Sequence, residues 1–104
     1  MRLLRFFNHS EIKECARDLA RRLAVEIPPK MVDQHRKLLS VNKLTRVLER
    51  AYEEASDYQK KNGLGFIKRA IFANTFRWEL KSSGYSEEFI TMATEGLVVK
   101  LSKK

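Results

Sequence analysis

Apolar residues in this chain return at spacings of three and four, and the pattern breaks only at proline or glycine. Helices packed on one another satisfy that rhythm. The longest run is Val41, Leu44, Leu48, Ala51, Ala55 and Tyr58, with Val47 and Tyr52 widening the stripe. It covers under three heptads and has alanine at two seam positions, so it suits a bundle better than a free-standing coiled coil. Breaks stand at Pro28-Pro29, Asn62-Gly63 and Gly84. Before the first, Ile12, Cys15, Ala16, Leu19 and Leu23 share one side of a helix from about Glu11 to Glu26. After the second comes a helix from about Leu64 to Lys81. After the third, a last helix starts at Ser86 with Phe89, Ile90, Ala93 and Leu97 inward. The expected fold is all-α, a small bundle of four to five helices, with residues 1–104 as a single helical domain.

Three helix starts share one device: a hydrophobic residue, a polar N-cap, and an apolar residue four positions into the helix. They are Phe7-Asn8 with Ile12, Leu39-Ser40 with Leu44, and Tyr85-Ser86 with Ile90. Glu11 is placed to complete a capping box with Asn8, and Glu87 and Glu88 sit where the helix dipole favours carboxylates. Two segments admit alternatives. Pro29 suits a first helical position, so a short helix carrying Met31, Val32, Leu38 and Leu39 inward starts there, or it fuses with the long helix to make 29–62 continuous. Leu97, Val99 and Leu101 alternate with Val98, Lys100 and Ser102, which fits a strand, although helix is the expectation.

The 64–81 helix differs from the rest in having two apolar faces. Ile67, Ile71 and Trp78 cluster on one side, while Phe72, Phe76, Leu80, Ala73 and Phe66 cover most of the other. Such a helix is either sandwiched in the bundle or gives one face to another molecule.

Chemistry-bearing patterns are sparse. His9 and His35 have no metal-ligand spacing, and the single Cys15 lies on an apolar stripe that disfavours thiolate formation. Gly63-Leu64-Gly65 lacks the further glycine and preceding strand of a phosphate loop. No catalytic residue, metal or cofactor is therefore expected, and the chain reads as a non-enzyme. No stretch of 18 apolar residues occurs, so no membrane span is expected. The Met1–Phe7 segment carries no small-residue cleavage signal, which leaves the cytoplasm as the expected location. With Arg2 and Arg5 beside Leu3, Leu4, Phe6 and Phe7, it is also a weak candidate for lying on an anionic membrane.

Charge is the remaining signal. With 21 bases against 13 acids the chain carries +8. Between Asp33 and Glu49 lie Arg36, Lys37, Lys43 and Arg46 with no acid, and between Asp57 and Glu79 lie Lys60, Lys61, Lys68, Arg69 and Arg77 with none. Acid-free basic windows attract phosphate, so Arg36, Lys37, Lys43, Arg46, Lys60, Lys61, Lys68 and Arg69 are the candidate contacts to nucleic acid or another anionic partner, provided that they converge. On the first helix, by contrast, Arg17, Arg21 and Arg22 stand at pairing distance from Glu14, Asp18 and Glu26. Glu53, Glu54 and Asp57 are expected to pair along their own helix with Arg50, Lys60 and Lys61. The turn Ser82-Ser83-Gly84-Tyr85-Ser86 is similar to that of a DNA-binding helix-turn-helix. The chain departs from that pattern at Leu80, where a small residue is wanted, and at Glu87 and Glu88, which would face phosphates, so a plain helix hairpin is preferred. The alternative function is a protein-interaction module, a homodimer or an adaptor, using Phe72, Phe76 and Trp78 as its partner interface.

Overall fold

The computed structural model describes residues 9–33 and 41–102, all within helices and their short connections. In chain order these are α1 (Ser10–Glu26), the short α2 (Pro29–Asp33), α3 (Val41–Asn62), α4 (Phe66–Ser83) and α5 (Glu87–Ser102). The all-α expectation holds, and residues 97–102 are helix, with Leu97 and Leu101 both buried one turn apart. Whether 29–62 is continuous turns on residues 34–40, which lie outside the described residues, as do Asn8, Leu38, Leu39 and Ser40.

Local chemistry accounts for most boundaries. At α5 the expected cap forms, Ser86 Oγ accepting the Phe89 N–H at 3.3 Å, while Tyr85 and Ile90 are both buried as a staple requires. At α1 the cap is His9, one residue later than the expected Asn8, and its side chain makes no cap hydrogen bond. Gly84 ends α4 at φ 102°, and the Tyr85 N–H reaches back to the Leu80 carbonyl at 3.4 Å, a closure that needs a left-handed residue. Gly63 ends α3 in the same way, at φ 59°. Gly96 serves a different purpose. A Cβ there would collide with the Tyr52 ring, whose hydroxyl donates to the Ala93 carbonyl at 2.8 Å and joins α3 to α5.

The four long helices form a closed ring of neighbours, α1 to α4, α4 to α5, α5 to α3 and α3 back to α1. Side-chain contacts fix their directions. Arg22 meets Glu54 and Glu26 meets Arg50, so α1 and α3 run antiparallel. Tyr52 meets Ala93 and Gln59 meets Leu101, so α3 and α5 run parallel. Arg21 meets Glu79 and Ile27 meets Tyr85, so α1 and α4 also run parallel. One end of the bundle therefore gathers the C-termini of α3 and α5 with the N-termini of α1 and α4. Phe72, Phe76, Ile27, Leu80, Ile90 and Leu97 are the largest fully buried side chains at its centre. The Tyr85 hydroxyl donates to the Ile27 carbonyl at 2.5 Å and its ring stacks on Phe89, fastening the end of α1 to the α4–α5 hairpin.

Candidate functional site

The two faces of α4 have separate fates. Phe72 and Phe76 are 1% and 0% exposed, so they belong to the core and form no partner surface, which corrects the expectation that placed both at an interface. Of the three residues assigned there only Trp78, 51% exposed, is accessible. Its companions are Ile67, 68% exposed, and Phe66, 80% exposed. At 100° per residue Ile67 and Trp78 point within about 20° of each other, away from the Phe72–Phe76 side. Phe66 sits in the first turn of α4, at the end of the bundle, which is why a residue assigned to the core side by periodicity emerges into solvent.

Between α4 and α5 this surface dips into a cleft of about 390 Å³, walled by Phe66, Ala70, Ala73, Val98 and Leu101. The residues lining it include Arg69 and Arg77 and no carboxylate. Thr94 adds a hydroxyl whose buried oxygen has no hydrogen-bond partner. Outward on α5 lie Glu88, Met92 and Glu95 beside Thr91, all exposed, and one turn on the exposed Val99. Val98, Val99 and Met92 lie off the buried Phe89–Ile90–Ala93–Leu97 stripe, a signal that a fuller helical projection of this segment carries. Apart from Val25, every large hydrophobic residue exposed among the described residues belongs to α4 or α5.

Charge is distributed differently along the two helices. On α4 the Trp78 ring has Arg77 at 5.6 Å and Lys81 at 5.2 Å from its centroid, within cation–π range. On α5 the outward charges are Glu87, Glu88 and Glu95, while Lys100 turns to α3 and binds Glu53 at 2.5 Å. That bond holds the Glu53 carboxyl below its ordinary value. The hairpin itself has one ion pair, Lys81 with Glu87 at 3.9 Å.

The described residues of the two basic windows do not converge. Lys43 and Arg46 stand near the start of α3 and Lys60 and Lys61 at its end, about 25 Å away at 1.5 Å per residue. Glu49, Glu53, Glu54 and Asp57 lie between them on the same helix. Arg36 and Lys37 lie outside the described residues. Lys60, Lys61, Lys68 and Arg69 do collect at one end of the bundle, where Gln59 and Arg69 both donate to the Leu101 carbonyl at 2.9 Å. Arg69 thereby caps the C-terminus of α5 and is half-buried, which leaves Lys60, Lys61 and Lys68 as the exposed cations there. The expected pairing of the α3 acids along their own helix is also corrected. Glu54 takes Arg22 of α1 at 2.7 Å and Glu53 takes Lys100 of α5.

Burial raises the Cys15 thiol, and burial pushes the Tyr52 hydroxyl up to about 12. Among the described residues no three His, Cys, Asp or Glu side chains gather as metal ligands, and no helix is long and apolar enough to cross a membrane. Comparison with protein-family models, with curated proteins and with solved structures finds no match.

Proposed function

We propose that this protein is a non-enzymatic protein-interaction module whose working surface is the outer face of the α4–α5 hairpin. The observation that carries the reading is the concentration of exposed apolar side chains there, Phe66, Ile67, Trp78, Met92, Val98 and Val99, around a cleft with no carboxylate in its lining. An apolar patch rimmed by charge suits a partner that buries it and answers the charge. A helix laid along the cleft would meet anchors on α4 from Phe66 to Arg77, about 16 Å or three turns. The test is a titration of dilute protein with an amphipathic helical peptide bearing acids on its polar face, followed by Trp78 emission. A blue shift that Phe66→Ser abolishes, and that a lysine-bearing counterpart fails to produce, supports the reading. Unchanged emission with both peptides removes it.

A second reading keeps the anionic partner but reduces its site. Lys60, Lys61 and Lys68 are exposed at one end of the bundle, next to the capping Arg69. Sequence-independent contact with nucleic acid phosphate through these groups would give a salt slope of about three, from roughly 0.9 per phosphate. Titration of a labelled duplex or RNA at two salt concentrations tests this. Binding no tighter than millimolar at low salt would remove it.

A further inference from the structure

We infer that the occupant of the α4–α5 face is a second copy of this chain, docked about a two-fold axis that runs along the seam between the two helices. The inference rests on the interaction-module reading and names its partner. Its basis is that the face carries both halves of a complementary pair. The outward side of α4 presents Ile67 and Trp78 with the cation Lys81, and Arg77 in the cleft wall beside them, while the outward side of α5 presents Met92 and Val99 with the anions Glu88 and Glu95.

A two-fold axis lying in the surface, parallel to the helices and midway between them, sets α4 of one copy over α5 of the other, and does so twice. The axis preserves height along the bundle, so residues that meet must stand at the same level. The level is fixed within the chain, because Lys81 meets Glu87 at one end of the hairpin and Arg69 donates to the Leu101 carbonyl at the other. In that antiparallel register Trp78 stands within a turn of Met92, and Ile67 within a turn of Val99. Arg77 and Lys81 fall in the interval spanned by Glu88 and Glu95. Apolar side chains therefore face apolar ones, and cations face anions.

Stacking α4 on α4 sets Arg77 and Lys81 against their own images where the axis passes at their level, and stacking α5 on α5 does the same for Glu88 and Glu95, at a cost for each like-charge contact. Among the described residues Glu88, Glu95 and Arg77 form no ion pair within the chain, so the second copy would not have to break one. The contact closes on itself, so the product is a discrete dimer and not a growing filament.

A charge exchange followed by analytical ultracentrifugation tests the inference. The wild-type protein is expected to sediment at twice the chain mass at high concentration and to dissociate on dilution or at high salt. Glu88→Lys with Glu95→Lys, and separately Arg77→Glu with Lys81→Glu, should each weaken association at least tenfold while keeping the helical circular dichroism of the wild type. An equimolar mixture of the two variants should restore charge matching in both halves of the contact and associate more tightly than either alone. Trp78→Gln provides an apolar variant with the same expected loss. A wild-type chain that stays monomeric up to millimolar concentration overturns the inference, and so does a dimer that neither charge variant weakens. If the monomer still answers the acidic peptide through Trp78, the interaction-module reading survives with a different partner. If it does not, both fall.

Discussion

The α1–α3 flank and the α4–α5 face are both pairs of adjacent antiparallel helices with charged outer surfaces, yet they use their charges in opposite ways. Across α1 and α3, Arg22 meets Glu54 and Arg50 meets Glu26 at 2.7 and 3.0 Å. Across α4 and α5 the one pair is Lys81 with Glu87 at 3.9 Å, while Arg77, Glu88 and Glu95 are left out and Phe66, Ile67 and Trp78 stand in solvent. On the first flank these four charges are answered within the chain. On the second, in the reading proposed above, the charges are complementary to something outside the chain. Counting charges by helix therefore says little about binding until it is known which charges are already answered from a neighbouring helix.

The largest expected effect separates the two faces of α4. Phe76→Ala opens a cavity in the core and should cost about 3 to 5 kcal/mol in chemical denaturation. Phe66→Ser, on the same helix, should change stability by less than about 0.5 kcal/mol while abolishing the peptide-induced shift of Trp78 emission, since its side chain contributes little to the core. Equal losses at both positions would erase the distinction between the faces. The α3–α5 contact comes next. Gly96→Ala drives a methyl into the Tyr52 ring, and overpacking with loss of the hydroxyl bond to Ala93 should cost about 1 to 3 kcal/mol, visible as a lower denaturation midpoint.

Smaller effects belong to the ion-paired flank. A double-mutant cycle on Arg22→Ala and Glu54→Ala should give a coupling of about 0.2 to 1 kcal/mol that fades with added salt, because both side chains are about half exposed. A coupling near zero would mean that the flank is not held by its charges and would weaken the contrast with α4–α5. The smallest effect is at Glu53. Its carboxyl is lowered in the folded chain by the hydrogen bond from Lys100, so its contribution is present above the ordinary value of 4.5 and is lost as pH falls through the lowered one. Lys100→Gln should remove that acid-side dependence, and identical acid unfolding curves for variant and wild type would contradict it.

Much of the fold was legible because most boundaries have a local cause. Pro28-Pro29, Gly63, Gly84 and the Ser86 cap act through a few adjacent residues, and the three- and four-residue spacing of α1, α3 and α5 named their buried sides. What periodicity lacked was the environment. Two apolar faces on α4 are equivalent until the neighbours are placed, and α1 and α5 cover the Phe72–Phe76 side. Phe66 has the phase of a core residue and the position of a terminal one. The basic windows looked like one site because each is free of acids, but the length of α3 holds them apart, and that separation could have been computed from the rise per residue. Ion pairing was misread for a related reason. Rules for i,i+4 partners see one helix, and Glu53 and Glu54 chose cations on two others.

The account turns on Trp78 lying in a contact between copies, and the most direct measurement is acrylamide quenching of its emission across a series of protein concentrations, made possible because it is the single tryptophan of the chain. The account predicts that quenching falls as concentration rises and that Glu88→Lys with Glu95→Lys removes the dependence. Quenching that stays at the level of an exposed indole from micromolar to millimolar protein would contradict it.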